Sequence, residues 1–126
     1  MSIKSKVALV TGGGRGIGRE IALAFAREGL AVAVAARTLS QVEEAAEAVR
    51  ALGAKALPVE LDVTDARAIP AAVKTVTDAL GPVDVLVNNA GIAEAAAFMK
   101  TDPALWERHL RVNVTGPFLL TREVLP

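Results

Sequence analysis

The segment Lys6–Gly18, KVALVTGGGRGIG, decides the fold of this chain. Its apolar run ends in a cluster of glycines, a pattern that predicts a strand buried on both faces and then a tight turn. Apolar residues then recur at helical spacing over Glu20–Glu28, namely Ile21, Ala22, Ala24 and Phe25. The order strand, glycine turn, helix predicts a phosphate site, because the first N–H groups and the positive end of the helix dipole lie at that turn.

The spacing of the glycines excludes two common nucleotide motifs. Gly12, Gly16 and Gly18 form G-x-x-x-G-x-G, which is not the dinucleotide pattern G-x-G-x-x-G. A P-loop is also excluded, because Arg19 and Glu20 stand where Lys and Ser or Thr are needed. A flexible surface turn is the alternative, but the strand and helix on either side favour the phosphate site.

Composition limits the class of protein. The 126 residues predict one domain, and zero net charge with 3% aromatic residues does not indicate a nucleic-acid-binding face. The chain has no cysteine, and His109 has no second ligand at metal-binding spacing, so we predict no metal site. No run is long enough for a signal peptide or a membrane span. We therefore expect a cytoplasmic protein without nucleic-acid or membrane partners.

Strands and helices alternate along the rest of the chain. The predicted strands are Ala31–Ala36, Lys55–Val63 and Val83–Val87, with Pro58 indicating that the middle one lies at a sheet edge. The predicted helices are Gln41–Leu52 with Ser40 and Glu43 as a capping box, one from Thr64-Asp65 to Leu80, and one from Pro103 towards Leu125. Pro70 predicts either a late start near Ile69 or a kink, and Gly116-Pro117 a bend.

This alternation predicts an α/β fold, a Rossmann-type doubly wound parallel sheet with strand order 3-2-1-4. Ligands of such sheets bind at the carboxyl ends of the strands, where the order reverses. The loops Thr11–Gly18, Arg37–Thr38 and Asn88–Gly91 should therefore meet, with Asp62-Val63 on their rim.

The residue after the second strand distinguishes the two nicotinamide dinucleotides. An acidic residue there holds the ribose of NAD, whereas an arginine accommodates the 2′-phosphate of NADP. Arg37 occupies this place, no acid lies between Val32 and Gln41, and Arg15, inside the glycine turn, can approach the same phosphate. The sequence thus predicts NADP(H), with a merely solvated Arg37 as the alternative.

Four motifs together resemble the short-chain dehydrogenase/reductase (SDR) family, in its 3-oxoacyl-(acyl-carrier-protein) reductase-like branch. They are TGGGRGIG at Thr11–Gly18, Asp62-Val63, NNAG at Asn88–Gly91 and NVTG at Asn113–Gly116. The resemblance implies an NADP(H)-dependent oxidoreductase that reduces carbonyls or oxidises alcohols, and a homo-oligomer.

The resemblance also implies residue roles. The cofactor-binding residues would be Gly12, Gly14, Arg15, Gly16, Ile17, Gly18, Arg37, Asp62, Val63, Asn89, Ala90 and Gly91. Asn113 would hold a water of the catalytic proton relay. Two alternatives stay open: Asp62 as an ordinary turn residue before Thr64, and Asn113 as a polar residue that eases a helix bend.

The catalytic serine and Tyr-x-x-x-Lys of the family have no counterpart here, because the chain has no tyrosine and its serines are Ser2, Ser5 and Ser40. The family runs to about twice this length, so the resemblance implies an N-terminal, cofactor-binding half over residues 1–126 that is inactive alone. A non-catalytic dinucleotide-binding module is the alternative. An S-adenosylmethionine-dependent methyltransferase also shares the opening, but Arg37 disfavours it.

Overall fold

The computed structural model describes residues 3–91 and 97–125. The elements follow in the order β1 (Val7–Thr11), α1 (Gly16–Arg27), β2 (Ala31–Ala36), α2 (Leu39–Ala51), β3 (Ala56–Glu60), α3 (Ala68–Leu80), β4 (Val85–Val87), a 3-10 turn (Phe98–Lys100), α4 (Pro103–Leu110), a π-helical turn (Arg111–Thr115) and α5 (Gly116–Val124). No helix in the described part of the chain is both long and apolar enough to cross a membrane.

The four strands form one parallel sheet in the order β3-β2-β1-β4. This confirms the predicted doubly wound order, and Pro58 lies on the edge strand β3 as expected. Because the strands are parallel, the carboxyl ends of β1, β2 and β4 lie at one edge of the sheet, and the strand order reverses beside β1, which is where ligands bind in such sheets.

The sheet separates two apolar layers. Leu9, Ala33 and Val59 point to the layer that contains α3 and Leu120 of α5. Val10 and Val34 point to the opposite layer, formed by α1 and α2. In the described sheet, β1 and β2 are therefore buried on both faces, and small residues such as Ala22 and Ala46 let the helices pack closely against them.

Helix α2 begins earlier than predicted. Thr38, not Ser40, is its N-cap residue, and the structure has no capping bond from a side chain there, so the predicted capping box with Glu43 is wrong. Thr38 has the extended backbone of an N-cap, and its carbonyl accepts bonds from the amides of Gln41 and Val42. The first helical residue is consequently Leu39.

The segment after β3 also departs from its predicted bounds. The strand ends at Glu60 rather than Val63, because side-chain turns at Asp62 and Asp65 take over the backbone. Helix α3 then starts late, at Ala68, which confirms one of the two effects predicted from Pro70. Pro70 lies in the first turn, where its missing N–H costs nothing.

Three smaller predictions have mixed outcomes. Ala24 is exposed, so the buried face of α1 is narrower than its spacing predicted. Asp102 caps α4 as expected, with its side chain accepting from the amide of Leu105 at 2.7 Å. The irregularity before α5 is the π-helical turn itself, and α5 begins where the bend at Gly116-Pro117 was predicted.

Candidate functional site

The loop between β1 and α1 is shaped for a ligand at the helix start. Gly12 and Gly16 have φ of +63° and +58°, in the left-handed region that favours glycine. The first turn of α1 contains no acidic residue, and its N-cap residue Arg15 makes no capping bond with its side chain. The helix thus presents its first amides and its positive dipole end without a competing carboxylate.

Gly18 brings α1 close to the end of β4. A Cβ at this position would lie 2.5 Å from Nδ2 of Asn89 and well inside van der Waals contact of the Gly12 carbonyl oxygen. Gly18 is buried in this contact. The glycine therefore fixes the distance between the helix and the two loops beside it.

A hydrogen-bond network centred on Thr11 joins the loops that follow β1 and β4. The Thr11 hydroxyl accepts from the amides of Asn89 and Ala90, at 3.1 and 3.0 Å, and donates to the carbonyl of Val87 at 3.3 Å. The Asn89 amide Nδ2 also donates to the carbonyl of Gly12 at 3.2 Å. Thr11 is 1% exposed, so its hydroxyl is a buried polar group with its bonding capacity used.

The carboxyl end of β2 supplies charge to the same place. Arg37 is exposed at the end of β2, and Thr38 and Gln41 follow it at the start of α2. The side chain of Gln41 packs against Gly14, where a Cβ would come within 2.9 Å of it. The glycine loop and the start of α2 therefore touch.

Asp62 lies across the opening from the glycine loop, beside Val63. Its Oδ1 accepts from the amide and the hydroxyl of Thr64, at 2.9 and 2.7 Å. Desolvation raises the pKa of the Asp62 carboxyl. The two hydrogen bonds from Thr64 and the positive charge of Arg37 together lower it by more, so the pKa lies below its usual value. Asp62 is therefore both the turn residue that the sequence left open and an ionised group beside the cleft.

The π-helical turn borders the end of the opening that lies beside the loop after β4. Val112 lies against the opening, and Oδ1 of Asn113 would be 3.2 Å from a Cβ at Gly91. Gly116 allows the start of α5 to pack closely against Val63, in the segment that follows β3. A Cβ at position 116 would lie only 3.0 Å from the carbonyl oxygen of Val63. π-Helical turns of this kind occur frequently at functional sites.

Together these groups enclose a cleft of about 410 Å³, which is within the usual range for ligand sites. The predicted site residues that line it are Gly12, Gly14, Arg15, Gly16, Arg37, Asp62, Val63, Asn89, Ala90 and Gly91. Thr38, from the predicted loop Arg37–Thr38, also lines it, and the lining residues that sequence reasoning missed are Ala35, Ala36, Gln41, Leu61 and Val112. Ala36, Leu61 and Val112 are sequence neighbours of predicted residues, and that adjacency is the signal that was available.

Three predicted residues do not line the cleft. The Ile17 side chain is 74% exposed, Gly18 is buried beneath the loop, and Asn113 lies exposed beside Gly91. The structure thus brings the glycine loop, the ends of β2 and β4, and Asp62-Val63 together, and leaves these three at the periphery.

Residues 6–126 match the family model described as short chain dehydrogenase. The chain belongs to the short chain dehydrogenase family. Relatives in this family include a short chain dehydrogenase of Pseudocercospora fijiensis, which is 41% identical over 98% of this chain and 41% of its own length.

Solved SDR structures share the fold. A short-chain type dehydrogenase/reductase from Mycobacterium marinum is 36% identical with a TM-score of 0.93, covering 98% of this chain and 50% of that one. The L-sorbose reductase from Gluconobacter frateurii, solved with NADPH and L-sorbose, is 34% identical with a TM-score of 0.93, covering 98% and 48%. The chain therefore spans about half the length of the relatives it matches.

Proposed function

We propose that this chain binds NADP(H) and supplies the cofactor-binding half of an SDR carbonyl reductase or alcohol dehydrogenase. The observation that carries the proposal is the cleft itself. The start of α1, with no acidic residue in its first turn, and the Arg37 guanidinium border one opening at the switch point of the sheet. Both features favour a ligand with phosphates at two separate points.

The residues present fit such a ligand. The loop from Gly12 to Gly16, with its left-handed glycines, would hold the pyrophosphate against the first amides of α1. Arg37 would pair with the 2′-phosphate, aided by Arg15, and Asp62 would accept a hydrogen bond from the adenine amino group, with Val63 against the ring.

The remaining residues would hold the nicotinamide end. Asn89, Ala90 and Gly91 would lie along the ribose and the path to the nicotinamide. Ile17 and Gly18 stay in the proposal as residues beneath and beside the pyrophosphate, and Asn113 as the residue that holds a relay water. The cofactor would supply a hydride for a carbonyl carbon.

A proton donor is needed as well, because general acid catalysis contributes about 10²–10⁴-fold. The chain has no tyrosine. We therefore propose that these 126 residues bind the cofactor and do not by themselves turn over a ketone. A non-catalytic dinucleotide-binding module is the second candidate. The four sequence motifs support the 3-oxoacyl-(acyl-carrier-protein) reductase-like branch of the family, which stays a prediction. The proposed substrate of the full-length protein is a small carbonyl compound or alcohol.

Association with a second copy is part of the proposal. Apolar side chains on α4, the π-helical turn and α5 are largely exposed, among them Trp106 at 60%, Val114 at 58% and Phe118 at 60%. Such a surface favours association. Sedimentation velocity that finds only monomers at high protein concentration would contradict it.

The proposed cofactor is tested by comparing NADPH with NADH. A charge-assisted hydrogen bond is worth about 1.5–3 kcal/mol, so Arg37→Ala should weaken NADPH binding about ten- to a hundredfold and leave NADH binding nearly unchanged. Isothermal titration of the purified chain measures both affinities. Arg27→Ala, an exposed arginine in the last turn of α1, is the matched control and should change neither. Equal losses for both nucleotides in Arg37→Ala would contradict the assigned role of Arg37.

A further inference from the structure

The segment between β3 and α3 holds Asp62 in one orientation. The amide and the hydroxyl of Thr64 both donate to Oδ1 of Asp62, at 2.9 and 2.7 Å. The backbone closes the same turn, since the amide of Asp65 donates to the Asp62 carbonyl at 2.9 Å. All three bonds come from residues that immediately follow Asp62, so the turn is a self-contained unit.

The two oxygens of this carboxylate have different surroundings. Oδ1 takes both bonds from Thr64, whereas Oδ2 has no hydrogen-bond partner among residues 3–91 and 97–125. Asp62 lines the cleft. An ionised carboxylate only accepts hydrogen bonds, so its remaining capacity is for a donor.

A carboxylate on an exposed side chain would otherwise turn freely about its χ angles. Two bonds to a single oxygen remove that freedom before any ligand arrives, and a group that is already oriented loses less entropy when it binds. The backbone amide of Thr64 supplies one of these bonds whatever the side chain is. The hydroxyl supplies the other, and it alone depends on the residue type.

We propose that Thr64 is a positioning residue, whose hydroxyl orients Asp62 so that Oδ2 accepts a hydrogen bond from the exocyclic amino group of a 6-aminopurine in the cleft. This inference rests on the proposed nucleotide site. It adds a discrimination between purines: a 6-amino group donates to a carboxylate, whereas a 6-oxo group presents an acceptor and is repelled. Thr64 therefore supports the choice of adenine over hypoxanthine without touching the base.

The low pKa of Asp62 agrees with this role. Desolvation raises that pKa, and the bonds from Thr64 and the charge of Arg37 lower it by more. The carboxyl group is therefore an acceptor throughout the neutral pH range.

The test uses NADPH and its deamino analogue, in which hypoxanthine replaces adenine. The two ligands share every phosphate and both riboses, so a general loss of structure weakens both equally. The variants are Thr64→Val, which removes the hydroxyl and keeps the shape, and Thr64→Ser, which restores a hydroxyl. The matched control is Thr75→Val on α3, whose exposed hydroxyl donates to the carbonyl of Ala71 at 2.9 Å, outside the cleft.

Wild-type chain should bind NADPH more tightly than the deamino analogue. Thr64→Val should weaken NADPH binding about two- to tenfold, the effect of one ordinary hydrogen bond, and leave the analogue unchanged. Thr64→Ser should restore the difference, and Thr75→Val should not alter it. Melting temperatures of the variants confirm that each is folded.

Two results would overturn the proposal in different ways. If Thr64→Val weakens both ligands equally, or neither, then Thr64 does not position Asp62 for a purine, while the nucleotide site stands. If the wild-type chain binds neither ligand, then the proposed function fails and this inference fails with it.

Discussion

Strands β1 and β4 are neighbours in the sheet and end at the same cleft, yet the molecule builds them differently. Every residue of β1 is buried, and the strand is paired on both sides. β4 is shorter and half-buried, and among the described residues it pairs only with β1. The loop after β1 is consequently placed by packing, whereas the loop after β4 is placed by hydrogen bonds to Thr11 and Gly12.

This difference separates two ends of the proposed ligand. The glycine loop, which would hold the phosphates, lies on the most buried strand and against α1. The segment Asn89–Gly91, which would lie along the path to nicotinamide, depends on a few polar bonds and on the π-helical turn. We expect substitutions beneath the glycine loop to affect folding, and substitutions around β4 to affect binding more than folding.

The largest effect is expected from Gly18→Ala. Alanine is favoured over glycine within helices by about 1 kcal/mol, but the new Cβ would meet the Gly12 carbonyl and the Asn89 amide. Overpacking of this kind costs about 1–3 kcal/mol or more, so the free energy of unfolding should fall and nucleotide affinity with it. Urea unfolding and isothermal titration measure the two effects.

Gly53→Ala is the control for that variant. Gly53 has φ of +89°, and a Cβ there would meet nothing within 4 Å. Left-handed backbone costs an alanine about 1–2 kcal/mol, so this variant should lose stability and keep its nucleotide affinity. Unchanged stability in Gly18→Ala would contradict the view that packing places the glycine loop.

A pair of adjacent asparagines gives the next effect. Asn89 donates to the Gly12 carbonyl in a partly buried bond, whereas Asn88 donates to the Thr121 hydroxyl in an exposed bond of 3.3 Å. Asn89→Ala should weaken NADPH binding about three- to tenfold, as one lost hydrogen bond would. Asn88→Ala should weaken it less than about twofold. Equal effects in titrations of the two variants would remove the distinction between the two bonds.

The smallest effect concerns acid stability. Because the pKa of Asp62 is lower in the folded chain than its usual value, ionised Asp62 stabilises the fold at neutral pH. That contribution is present above the unfolded pKa of about 3.9 and is lost as the pH falls through the folded pKa. The difference in unfolding free energy between wild type and Asp62→Asn should therefore be constant above about pH 5 and shrink below pH 4. A difference that grows towards acid pH would contradict the assigned direction of the shift.

The sequence predicted the elements that depend on strong periodicity and on glycine. The strand Ala31–Ala36, the sheet order and the meeting of the glycine loop with Asn88–Gly91 all followed from buried runs between turn residues. The ends of strands and helices were harder to predict where side chains compete with the backbone for hydrogen bonds. The Asp62 and Asp65 turns shorten β3 and delay α3, and neither turn has a periodic pattern.

Tertiary contacts made by small residues could not be predicted from the sequence either. The role of Thr11 depends on its burial beneath the loop after β4, which is nearly 80 residues away in the chain. The close approach of Gly116 to Val63 depends on how α5 packs against the exit of β3. The four motifs identified the family without these details, because they lie in the loops of the site. The contacts that hold those loops in place leave no motif in the sequence.

The proposed function requires that a nicotinamide dinucleotide bind with its phosphates at the start of α1. Amide NMR spectra of the 126-residue chain, recorded with and without saturating NADPH, test this most directly. We expect the largest shifts at residues 12–18, 37–41, 62–64 and 89–91, with the exposed face of α5 unchanged. Spectra in which residues 12–18 do not respond, or in which the response lies on α5, would contradict it.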